Sequence, residues 1–193
     1  MRVSKEEAAR NRERVLEAAG RLFRKHGFDG VGIDAVMAEA GLTHGGFYKS
    51  FSSKEELIAE ACRRAAGQAD EAWRAEEAQA EDPLAAFLGQ YLSQAHCSDP
   101  GSACLFVTLA ADAARRDTPV RDAFAEGLCG FVTHIESLLP KVPEAVRHER
   151  ALAVASAMIG AVTIARATND PAFAEQVLSA ARSAILAAAT RPA

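Results

Sequence analysis

Residues 41–57, GLTHGGFYKSFSSKEEL, follow directly on the run IDAVMAEA, and this pair of segments restricts the fold more than any other part of the chain. Ile33, Val36, Met37 and Ala40 recur at helical spacing, so the stretch from Asp34 to Ala40 has one apolar face. Gly41 supplies the left-handed residue that ends a helix, with Leu42 packing back across the turn. Thr43 is then an N-cap for a second short helix. In that helix Phe47 and Phe51, four apart, point inward, while His44, Gly45, Tyr48 and Lys49 lie on the outer face. A further helix starts in SKEEL, capped by Ser53, with Glu55 and Glu56 at its positive end and Lys54 at its outer tip. Helix, tight turn and helix form a unit whose surface fits a DNA major groove.

Within that unit the residues divide by chemistry. Thr43, Tyr48 and Lys54 are candidates for phosphate contact, Lys54 because it adds its charge to the free N–H groups of a helix N-terminus. His44, Gly45 and Lys49 are the candidates for base edges, since Lys reads guanine acceptors and His donates or accepts according to its protonation. Gly45 and Gly46 each cost a helix about 1 kcal/mol relative to Ala. Close backbone approach to DNA is one compensation, and a loosely wound helix start is the other reading. Likewise Tyr48 is either a phosphate donor or a half-buried core aromatic, and Lys54 either a phosphate ligand or a solvated charge.

The same residues resemble the DNA-binding domain of TetR/AcrR-type bacterial regulators. The resemblance runs through LFRKHGF (Leu22 to Phe28) and then Gly41, Leu42, Thr43, Gly45, Phe47, Tyr48, Phe51, Ser53, Lys54, Glu55 and Leu57, covering roughly residues 10–60. It implies an all-α fold of about nine helices. A three-helix DNA-binding head (residues 1–53) would stand on a larger ligand-binding and dimerisation body (residues 54–193). It implies a repressor released from double-stranded DNA by a small molecule. Two positions depart from the pattern: Ser50 stands where an aromatic or His is common, and Asp34 where an uncharged or basic residue would favour phosphate.

Charge is distributed as such a division requires. Residues 1–54 hold 10 Lys/Arg against 7 Asp/Glu, and residues 55–193 hold 12 against 19, so a head of +3 sits on a body of −7. The N-terminal MRVSKEEAARNRERV is too charged for a secretory signal, and no uninterrupted apolar run reaches membrane-spanning length, so a cytoplasmic protein without a membrane partner is expected. Cys62, Cys97, Cys104 and Cys129 lack zinc-ligand spacing and read as reduced thiols. No nucleophile elbow, phosphate loop or metal motif is present, so neither catalytic residues nor a cofactor are expected.

The remaining sequence reads as helix almost throughout. Ser4 and Glu7 open a first helix that runs to about His26. Leu57, Ile58, Ala61, Cys62, Ala65, Ala69 and Trp73 stripe a long helix that leaves the head and enters the body. Further helices are expected from Asp82 to about Cys97, and from about Ser102 to Arg116, the latter apolar nearly all round. Three more should run from Pro119 past Leu138, from Glu144 to Thr168, and from the NDP turn to Ala189.

Two features of the body suggest partners. Gly160 and Ala161 make one of the last two helices smooth, and Leu178, Ala181 and Ile185 stripe the other, which suits either a twofold four-helix seam in a homodimer or internal packing. Phe87, Tyr91, Phe106, Phe124 and Phe131, with the polar His134 and Thr163, are candidates to line a cavity for a small, largely apolar effector. Alternatives remain: Cys97 and Cys104 as a redox pair, or a helical interaction protein that no longer binds DNA.

Overall fold

The computed structural model describes residues 4–99, 101, 103–140 and 142–189, which form nine α-helices, one 3₁₀ helix and no strand. Helix α1 (Lys5–His26) opens on Ser4, whose Oγ accepts the Glu7 N–H at 3.1 Å. It closes at Gly27 (φ 75°), whose N–H reaches the Phe23 carbonyl at 2.8 Å. Helix α2 (Ile33–Glu39) stops at Gly41 (φ 66°), and the Leu42 N–H returns to the Met37 carbonyl at 2.9 Å.

The next element differs from expectation. His44–Lys49 is a 3₁₀ helix, not an α-helix, and the Thr43 side chain makes no capping bond. Six residues containing two glycines offset little of the nucleation cost of an α-helix, so tertiary packing decides the backbone here. Phe47 and Phe51 hold the segment from behind, buried and stacked with ring centroids 5.6 Å apart.

Helix α3 (Lys54–Glu77) starts where the Ser53 Oγ accepts the Glu56 N–H at 3.1 Å. Its first half belongs to the head: Leu57 and Ile58 are buried, and pairs Arg12–Glu60 (2.5 Å) and Arg64–Glu13 (2.7 Å) tie it to α1. Its second half belongs to the body. There Gly127 of α7 (Thr118–Leu138) approaches so closely that an added Cβ would stand 2.9 Å from the Ala66 Cβ. The expected division after residue 53 therefore falls at the start of a helix common to both units.

Asp82 to Cys97 is two helices, α4 (Pro83–Tyr91) and α5 (Gln94–Ser98). Leu92 and Ser93 leave the helical region, and the Ser93 hydroxyl serves both ends of the break. It donates to the Gln90 carbonyl at 2.7 Å and accepts the His96 N–H at 3.2 Å. Helix α6 (Leu105–Ala113) is shorter than expected and is buried on one side, with Ala110 and Ala111 exposed. The expected start at Ser102 lies outside the described residues, as does Pro100 of the preceding turn. Cys104 is extended, and i→i+3 bonds from Arg115 and Arg116 close the far end.

Helices α8 (Glu144–Ala167) and α9 (Pro171–Ala189) complete the body, α8 packing on α7 and α9 on α8. By length and composition α8 could cross a membrane, yet it is a packed helix of the body, with 39% of its most apolar 18-residue window buried.

Candidate functional site

The outer surface of the head carries every residue assigned to DNA on sequence grounds. Thr43, His44, Gly45 and Lys49 are exposed, Tyr48 is 64% exposed, and Lys54 is half-buried in the first turn of α3. Tyr48 leans its ring edge-on against Phe47 at 5.1 Å, so the core fixes the aromatic body while the hydroxyl end stays in water. A Cβ at Gly45 would meet nothing within 4 Å, which leaves its backbone open to a partner.

Asp34, the acidic departure from the family pattern, has a partner. Its Oδ1 is hydrogen-bonded to His44 Nδ1, joining the first turn of α2 to the first residue of the 3₁₀ helix. The carboxylate engages Nδ1 and so orients the exposed imidazole.

Two cavities, each of about 350 Å³, lie on opposite sides of Trp73. The first, between α3, α6 and α7, has Trp73, Phe106 and Phe131 as its floor. Its rim carries the pairs Arg63–Glu126 and Arg74–Asp70, both 2.8 Å. The second, between α3 and the α4–α6 segment, is bordered by Tyr91, His96, Cys104 and Leu105, and by Arg24 from α1. Trp73 packs against Phe87 at 5.3 Å, Tyr91 at 6.1 Å and Phe131 at 5.2 Å, forming the partition between them.

This arrangement separates the residues assigned to an effector. Phe106 and Phe131 border the first cavity and Tyr91 the second. Phe87 stands behind the Trp73 partition, and Phe124 meets Phe106 edge-on at 5.2 Å. His134 is fully buried, with Nε2 2.7 Å from Glu77 Oε1 and Nδ1 3.3 Å from Asp70 Oδ1, so its role is to join α7 to α3. Thr163 is exposed on α8, its hydroxyl donating to the Ile159 carbonyl at 2.7 Å, and it reaches neither cavity. Arg24, Arg63 and Arg74 carry no such signal, because in sequence they are ordinary helix-surface cations.

The seam residues also divide. Ala161, Leu178 and Ile185 are buried within the protomer, and Ala181 is half-buried. Gly160 faces outward, where an added Cβ would meet nothing within 4 Å, and Leu152 (46% exposed), Ile164 (53%) and Phe173 (47%) share the outer surface of α8 and α9.

Cys62, Cys97 and Cys104 are poor nucleophiles. Burial pushes Cys62 up to about 12 and raises Cys97 and Cys104, so the thiolate is disfavoured at all three. His96 does not activate Cys97: its Nδ1 meets the Tyr91 carbonyl at 2.6 Å, and its Nε2 accepts the Cys104 N–H at 3.0 Å. Among the described residues no three His, Cys, Asp or Glu side chains cluster to hold a metal.

Comparison with known proteins agrees with the geometry of the head. Residues 15–61 match the sequence model of "Bacterial regulatory proteins, tetR family". The uncharacterized HTH-type transcriptional regulator YerO of Bacillus subtilis is 41% identical over 51 residues, which is 26% of this chain and 18% of YerO. The HTH-type transcriptional regulator LmrA of the same organism is 28% identical over 154 residues, or 77% of this chain and 82% of LmrA. A TetR transcriptional regulator from Chloroflexus aurantiacus superposes with a TM-score of 0.78 at 25% identity, covering 96% of this chain and 97% of that one. Residues 15–61 thus form a TetR-family DNA-binding head, and over most of its length the chain is similar to transcriptional regulators of that family.

Proposed function

We propose that this protein is a ligand-responsive repressor that binds a palindromic DNA operator as a homodimer. The carrying observation is the exposed surface from Thr43 to Lys49. Its polar groups face solvent while Phe47 and Phe51 anchor it, which is the arrangement a rigid reading element needs. Thr43, Tyr48 and Lys54 supply phosphate contacts, and His44, Gly45 and Lys49 approach the base edges.

One six-residue reading element offers few base contacts, so a twofold pair of heads on half-sites one helical turn or a multiple apart (roughly 34–36 Å per turn) supplies the affinity. The uncovered apolar strip of Leu152, Gly160, Ile164 and Phe173 is the surface for that pairing. It takes over the role assigned to Ala161, Leu178 and Ile185, which are used internally.

An effector in a body cavity acts through α3, which borders both cavities and also carries Leu57 and Ile58 of the head core. Tenfold release requires the effector to favour the DNA-incompetent state by about 1.4 kcal/mol. Electrophoretic shift with the DNA flanking the protein's own gene, and with a selected random duplex pool, tests the reading. Salt-sensitive, sequence-selective binding is expected; no binding to either would overturn it.

A further inference from the structure

The second cavity has a feature that apolar packing does not require. Arg24 reaches it from the head helix α1, half-buried between this cavity and the neighbouring cleft of Asp99 and Gly101, and burial disfavours its charge. Its Nε donates to the Gly101 carbonyl at 2.8 Å, yet among the described residues no carboxylate lies within ion-pair distance of it. Neighbouring arginines are neutralised: Arg64 pairs with Glu13 and Arg21 with Glu39. Asp99, whose charge acts on Arg24, accepts the Gly101 N–H at 2.9 Å within its own loop. A guanidinium so placed cannot discharge itself and is stabilised by an anion.

A second, independent observation comes from the same cavity. The Tyr91 hydroxyl is buried on it beside the Cys104 thiol, a weak partner, and makes no hydrogen bond to oxygen or nitrogen, so a stronger acceptor would stabilise it. Ala65, Ala69, Trp73 and Leu105 give the cavity an apolar wall, and Gln90, Ser93 and His96 add polar groups to its lining.

We infer that this cavity binds a small monocarboxylic acid with an apolar, ring-sized body, its carboxylate on Arg24 and its body against Trp73. The inference deepens the effector reading above and, for its regulatory consequence, rests on it. The carboxylate competes with the Gly101 carbonyl for the guanidinium. Arg24 lies in the last turn of α1, three residues before the Gly27–Phe28 joint that attaches the head to α6. An acid in this cavity therefore acts on the head directly, through α1, as well as through α3.

Calorimetry on the full chain with matched probes tests the site: 3-phenylpropanoate against 3-phenylpropanamide, and 2-naphthoate against 2-naphthamide. At least one acid should bind tenfold or more tightly than its amide. Arg24→Gln should remove that preference without weakening the amide, and Arg24→Lys should restore part of it. Ala69→Leu, which fills the cavity and keeps Arg24, should abolish both affinities and covers the case in which Arg24→Gln fails to fold. Equal affinity for acid and amide, a preference that survives Arg24→Gln, binding unaffected by Ala69→Leu, or no binding of any probe would each overturn the proposal. Operator binding by the same preparation separates the two readings. Acid binding without DNA binding sinks the regulator and leaves the site; DNA binding without acid binding sinks the site alone.

Discussion

Asp112 Oδ2 accepts the Phe28 N–H at 3.0 Å, across the joint between body and head. Phe28 is fully buried, so this amide has no recourse to water. The same joint holds Arg116, which pairs with Glu55 at 3.0 Å and with Asp29, and stands 5.5 Å from the Phe28 ring centroid. The end of α6 thus grips the head at the end of α1 and the start of α3. Asp112→Ala leaves the amide unpaired and should lower stability by about 1–3 kcal/mol. Asp112→Asn keeps an acceptor and should recover most of that loss; urea titration of the two variants measures the difference.

His96 gives a pH dependence. Burial lowers its pKa from the ordinary value, the largest effect, against the opposing bond to the Tyr91 carbonyl. Its neutral ring accepts the Cys104 N–H, a bond the imidazolium cannot accept. The unfolded chain therefore binds the proton more readily than the native one. The contribution is complete above the unfolded value of about 6.5 and is lost as pH falls below it toward the lower native value. Urea midpoints from pH 7.5 down to 5.5 should fall more steeply for wild type than for His96→Gln. Parallel curves would refute the assignment.

The head predicts three distinct DNA phenotypes. Lys54→Ala should weaken binding to all sequences and shallow the salt slope by about one unit. Lys49→Ala should change preference between operators while shifting the slope little. Asp34→Ala should mimic His44→Ala, because the carboxylate acts by orienting the ring. In a double-mutant cycle the two changes should then be strongly non-additive.

Outer and inner faces of α8 and α9 should separate in sedimentation and stability measurements. Ile164→Glu or Phe173→Glu should give helical monomers that bind a single half-site weakly. Leu178→Ala, at a fully buried position, should instead cost about 2–5 kcal/mol of protomer stability. Unchanged assembly in both glutamate variants would remove the proposed dimer surface.

Most of the helix pattern is legible in the sequence because its signals are local. Ser4 caps α1, Gly41 ends α2 and Ser53 opens α3 through bonds spanning three to five residues, which no distant contact needs to supply. Ends set by proline are equally local, so Pro143 and Pro171 mark the starts of α8 and α9. The break at Ser93 was not legible. A serine inside an apolar run reads as a tolerated helix residue, and its hydroxyl becomes a cap once His96 is drawn to Cys104. The 3₁₀ winding of His44–Lys49 is likewise a tertiary outcome, since weak local propensity yields to the burial of Phe47 and Phe51.

The outward chemistry of the head could be read from sequence because a reading surface is contiguous in the chain, from Thr43 to Lys54. The body cavities could not, because their walls are assembled from residues far apart in sequence. Arg24 meets Tyr91 and Leu105 only when α1 packs against the α4–α6 segment. Apolar periodicity identifies which residues leave water and carries no information about which of them face a void. Leu178 and Gly160 make the same point at the last two helices: both fit a seam by size and spacing, yet packing buries one and leaves the other half-exposed beside open space. Local hydrogen bonding determined where the helices begin and end, and the close packing of distant side chains alone decided what lies between them.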